Sequence, residues 1–167
     1  MLSSPNWTIA ERHMVRYHMS HLMWWALIAI SVPVIVLSLG AALVKIAVLP
    51  PRGAGFLVWG TTVAIAVLSP VVAFAIERGR IRPVPADRPL RAVVMWYKHA
   101  KLWAIAACGI GALSPVSALY ISGSFSPALG AVVFPLAFLM IRFPHAERFT
   151  AFVDSHFDAV EPSQGPE

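Results

Sequence analysis

ERGRIRPVPADRPLRAVVMWYKHAK, residues 77–101, is the only long polar interval between two blocks of almost unbroken apolar sequence. It carries Arg78, Arg80, Arg82, Arg88, Arg91, Lys98 and Lys101 against Glu77 and Asp87, so seven of the chain's 13 basic residues fall in one segment. A basic segment between apolar spans stays on the side of the membrane from which the protein is inserted. This one divides the chain into two apolar halves and predicts that both halves begin and end on the same side.

The composition supports that reading. Over 167 residues, 58% hydrophobic and 13% charged side chains lie outside the usual soluble balance. The mean hydropathy is +0.71. Working outward, residues 22–44 run for 23 positions without a charge. At about 1.5 Å per residue such a helix crosses a hydrocarbon core of about 30 Å. A cleaved signal peptide would have a shorter apolar region, followed by a mature domain rather than Lys45 and further apolar sequence. Trp24 and Trp25 mark one interface and Lys45 the other, and LPPRGAG (49–55) makes the turn. Residues 56–76 form a second span.

Beyond the basic segment, Asp87 and Pro89 read as a helix start, followed by a third span over 102–121. SGSF (122–125) turns the chain into a fourth, short span at 126–143. The fold expected is therefore an all-α integral membrane bundle of four helices. An interfacial N-terminal helix (1–21, with Ser3, Ser4, Pro5 and Asn6 as a helix start) precedes it, and an acidic amphipathic tail (144–167) follows. Eleven basic residues on the N-terminal, central and C-terminal segments oppose only Lys45 and Arg52 in the outer turns. This predicts both termini in the cytoplasm, and the expected location is a bacterial inner membrane. Arg78, Arg80, Arg82, Arg88 and Arg91 then face lipid head groups, which accounts for the formal charge of +5 without invoking nucleic acid.

The two halves echo one another: His21 with Trp25, then His99 with Trp103; Ala73, Phe74 and Arg78, then Ala137, Phe138 and Arg142. Such echoes would suit a two-hairpin repeat about an axis along the membrane normal, although matches this short arise readily by chance among apolar residues.

Polar chemistry is confined to the span ends. No Asp, Glu, Lys, Arg or His lies well inside the four expected spans, which argues against a proton-coupled carrier and against mid-membrane haem ligation. Cys108 is the only cysteine, so no intramolecular disulfide or CxxC pair exists. His18, His21, Glu77, His99 and His145 all fall at the cytoplasmic boundary, where imidazole and carboxylate would serve a metal, haem or quinone. The commoner account is that His and Trp are amphipathic residues at the places where helices leave the bilayer. Glu11, Met14, His18, His21 and Trp25 follow at spacings of three or four and form one stripe of a helix that runs into the first span.

Pro33, Pro70, Pro115 and Pro135 place one proline in each span, as kinks or as ordinary transmembrane usage. Ala100, Ala104, Ala107, Cys108 and Gly111 form a small-residue stripe that predicts close packing, against another span of this chain or against another protein. In the tail, Phe149, Phe152 and Phe157 recur at helical spacing as anchors for a cytoplasmic contact. The leading expectation is an accessory or structural subunit of a larger membrane complex, respiratory or energy-transducing, without a catalytic constellation. Its partners are membrane lipid and other membrane subunits. The alternatives are a histidine-based cofactor protein and, third, a small transporter or channel.

Overall fold

The computed structural model describes residues 8–46, 55–81, 89–145 and 147–152. Arg82, Arg88 and Phe157, and the side chain of Arg80, lie outside the described residues, as do Ser3 to Asn6. What is described is helical, with no strand. The helices are α1 (Ile9–Lys45), α2 (Phe56–Ile81), α3 (Leu90–Ser122) and α4 (Phe125–Ile141). Three of them, α1, α2 and α3, are long and apolar enough to cross a membrane, and α4 is a shorter apolar helix of 17 residues.

The helices differ from the sequence boundaries at their polar ends. Residues 8–21 do not form a separate interfacial helix: α1 is continuous for 37 residues. Its start is set by Thr8, whose hydroxyl accepts from the Glu11 backbone N–H while the Glu11 carboxylate accepts from the Thr8 N–H at 2.9 Å. This reciprocal pair satisfies two donors that a helix start leaves open. Similarly, α3 runs for 33 residues from Leu90 without a break near residue 102, and α2 continues past residue 76 to Ile81. The polar segment is therefore helical at both ends, and Glu77 and Lys101 are helix residues rather than loop residues.

Pro33, Pro70, Pro115 and Pro135 each lie inside a helix. Gly123 ends α3 with φ 67°, the left-handed region that favours glycine, and its N–H donates to the Leu119 carbonyl. The Ser122 hydroxyl, in turn, accepts from the Ser124 N–H at 3.1 Å, so this two-residue turn consumes its own polar groups.

In packing, α3 is the central helix and touches the other three; α1 lies against α3 and more lightly against α4, and α2 lies against α3 and α4. Consecutive helices α1 and α2 barely touch, whereas α3 and α4 pack closely. The small-residue stripe is used within the chain. Ala104 and Cys108 are buried in the core, and Gly111 lies so close to α2 that an added Cβ would collide with the Ser69 side chain. Helices in lipid gain little from apolar burial, so this close approach is a principal source of cohesion between α2 and α3.

Candidate functional site

The polar groups converge at the end of the bundle where α1 and α3 begin and α2 and α4 finish. Helix rise places this layer. Glu77 stands 21 residues after Phe56, and Lys101 stands 21 before Ser122, which puts both about 32 Å from the opposite ends of their helices. That distance is close to the thickness of a hydrocarbon core, about 30 Å.

The centre of the layer is a buried ion pair. The Lys101 ammonium donates to the Glu77 carboxylate at 2.8 Å, and each side chain is only 9% exposed. Lys101 was not singled out by sequence reasoning beyond its positive charge; the readable signal was Glu77, the one acid at the end of an apolar run. Beside the pair, the Tyr97 ring lies 5.8 Å from the Lys101 nitrogen. Arg78 and Arg142 both approach the Phe74 ring, at 6.0 and 5.4 Å, and so join the C-terminal ends of α2 and α4.

Residues 147–152 fold back onto this layer. Phe149 meets Tyr97 edge-on with ring centres 4.9 Å apart, and Phe152 lies 5.2 Å from the same ring. Phe149 is 1% exposed, so it is a core residue of this chain and not a free anchor for a partner. The tail thus docks on the start of α3 through aromatic packing. Arg148 adds a bond from its guanidinium to the Ile141 carbonyl at 2.9 Å.

The five candidate ligands do not meet. Glu77 is committed to Lys101. His99 is exposed and its Nδ1 bonds to the Met95 carbonyl one turn back, and His145 is exposed beside Phe143. Among the described residues, no three His, Cys, Asp or Glu side chains lie close enough together to hold a metal ion. His18 and His21 remain near one another on α1, in a separate basic cluster. The Lys98 ammonium stands 3.4 Å from His18 Nδ1, a contact in which the lysine donates to a neutral ring. Burial, and then the nearby charges of Lys98, His21 and Arg91, hold the His18 pKa below its usual range. Among the described residues His21 Nδ1 is buried without a hydrogen-bond partner, and its ring packs edge-on against Trp25 at 6.2 Å.

Below this cluster the seam between α1 and α3 opens into an apolar groove of about 290 Å³, walled by Trp25, Ala29 and Pro33 on α1 and by Leu102, Gly109 and Leu113 on α3. Three apolar helices of spanning length, capped at one end by a charged and aromatic layer, define an α-helical membrane protein. Compared with family models, with curated proteins and with solved structures, the chain matches none.

Proposed function

We propose that this chain is an accessory subunit of a larger membrane complex, with four spans and with both termini and the 77–101 segment on the cytoplasmic side of a bacterial inner membrane. The observation that carries this reading is the uncovered side of α1. Val15, Leu22, Ala26, Pro33 and Leu37 face the bundle, while Trp24, Ser31 and Ser38, seven residues apart, face away from it and are exposed. Spacing by sevens keeps these three on one stripe along the span, and small hydroxyl residues on such a stripe allow a second helix to approach closely. The Ser38 hydroxyl is satisfied internally by the Val34 carbonyl at 2.8 Å, so the stripe tolerates lipid until a partner arrives.

The charged layer fits a static role in this reading. A fully paired Glu77 and Lys101 at the border of the core ties α2 to α3, and the Arg78–Phe74–Arg142 cluster ties α2 to α4. The orientation rests on the distribution of Lys and Arg.

Two measurements test the proposal. Reporters fused after Arg82 or at the C-terminus are expected to report cytoplasm, and one near Arg52 the outside; cytoplasmic signal at Arg52 overturns the orientation. A Ser31→Leu, Ser38→Leu double variant is expected to insert normally but to lose co-purifying partner and fall in steady-state level. A wild-type chain isolated from its native membrane as a stable monomer, with the double variant accumulating normally, removes the subunit reading.

A further inference from the structure

We propose that the groove between α1 and α3 binds one anionic phospholipid of the cytoplasmic leaflet, its acyl chain in the groove and its phosphate at the Lys98, His18 and His21 cluster. This goes beyond the subunit reading and rests only on the orientation proposed with it. The groove opens at head-group height. Trp25 stands 20 residues before Lys45 and Leu102 stands 20 before Ser122, so both walls of the groove begin about 30 Å from the far ends of their helices. That is the border of the hydrocarbon core. Lys98 and His21 lie one turn above the border and His18 two turns, at the level of head groups.

The groove also has the length of one acyl chain. Along α1 the groove runs from Trp25 to Pro33, about 12 Å, and along α3 from Leu102 to Leu113, about 16 Å. Half of a core of about 30 Å is the reach of one leaflet's acyl chain. A transmembrane helix of a partner would need a groove through both leaflets. Beyond the groove, by contrast, α1 and α3 close up: Gly40 abuts Leu119 and Tyr120, and the Tyr120 hydroxyl donates to the Val36 carbonyl at 3.0 Å.

The mouth of the groove is basic. His18, His21 and Trp25 continue the α1 wall upward at spacings of three and four, and Arg91, Lys98 and Leu102 share one side of α3. Among the described residues, the charges acting on His18 are those of Lys98, His21 and Arg91, all basic. Lys98 donates to a neutral imidazole, and among the described residues His21 Nδ1 is buried with no hydrogen-bond partner. A phosphate oxygen is an acceptor that the ammonium would take in preference to imidazole, and the lipid's glycerol and ester oxygens lie at the level of His21 and Trp25. A zwitterionic lipid fills the groove equally well but adds a positive head group to a positive mouth.

The test uses the full chain in nanodiscs of phosphatidylcholine with or without phosphatidylglycerol, read by native mass spectrometry after release into mild detergent. The wild type is expected to retain one phosphatidylglycerol per chain in preference to phosphatidylcholine. Lys98→Gln is expected to weaken retention about fivefold, the effect of one basic side chain at an anionic surface. Gly109→Leu, which extends into the groove from a position whose Cβ would meet only Ala29 at an ordinary 3.8 Å, is expected to abolish it. Ala106→Leu repeats the block should that variant fail to fold. Arg16→Gln, an exposed basic residue of α1 away from the groove, is expected to change nothing. Retention of no phospholipid by the wild type, equal retention of both lipids, or an equal loss in Arg16→Gln and Lys98→Gln overturns the proposal.

Discussion

Removing Lys101 from the chain leaves the Glu77 carboxylate in a site where its side chain is 9% exposed and where the 2.8 Å bond from the ammonium is the hydrogen bond it makes to another helix. Screening by water is small at that exposure, so the surface figure of under about 1 kcal/mol for an ion pair does not apply. Breaking a buried pair by deleting one partner costs about 3–5 kcal/mol, because the remaining charge keeps its desolvation penalty without compensation. Lys101→Met is therefore expected to destabilise the α2–α3 contact by about that amount, and Glu77→Leu to act similarly by stranding the ammonium. The double variant is expected to recover most of the loss, since a methionine and a leucine of similar volume fill the space and no charge remains. Equilibrium unfolding in mixed micelles, read by helical circular dichroism, gives the cycle directly. Single variants within about 1 kcal/mol of wild type would show that the pair is solvated, as an exposed pair is. A double variant as unstable as the sum of the singles would show that the two residues are not coupled.

Three further outcomes follow from particular contacts. Gly111→Ala is expected to destabilise by about 1–3 kcal/mol, the cost of overpacking, and Ser69→Gly to restore part of it, because the new Cβ collides with that side chain; thermal unfolding of both variants decides it. Phe149→Ala is expected to cost about 3–5 kcal/mol and Phe152→Ala less, since only Phe149 is fully buried against Tyr97, and limited proteolysis should release the tail in the first variant. His18 has a folded pKa below the usual 6.5, so stability is complete above pH 6.5 and declines as the pH falls, the unfolded chain binding the proton first. His18→Gln is expected to flatten that part of the pH profile, and an unchanged profile would mean that the ring is solvated.

The apolar architecture was legible because its signal is redundant: long uncharged runs and flanking basic residues each state it, and α1, α2 and α3 answer to them. The helix ends were legible in part. Thr8 and Glu11 form a capping box written in the sequence as TIAE, yet Ser3 to Asn6 offered equally good cap residues, and local pattern alone does not rank them. Reading the polar segment as a loop from residue 77 failed for a related reason, whereas the helix start read at Asp87 and Pro89 agrees with α3, which begins at Leu90. Charge density marks where a helix leaves the hydrocarbon, not where it ends, and α2 and α3 continue well past that point. The ion pair was hidden because it depends on the relative rotation of two helices joined by a long connection. Glu77 and Lys101 are 24 residues apart, a separation no periodicity relates. For the same reason Phe149 read as an anchor for another protein: its apolar spacing is visible in the sequence, whereas Tyr97, the ring that receives it, lies 52 positions earlier.

The stripe of Glu11, Met14, His18, His21 and Trp25 shows how one pattern came to serve two chemistries. Its spacing put these residues on one face of a helix that runs into the first span, and α1 has no break at residue 21. It continues, so the stripe passes from head-group level into the core and its lower part becomes the apolar wall of Trp25, Ala29 and Pro33. A metal site would need histidines from different helices to converge. Instead the partner brought to His18 is Lys98, a donor that repels a cation. A basic mouth over an apolar slot of one leaflet's depth selects for an amphiphile with a negative head, and the continuity of α1 puts both parts on one rigid rod.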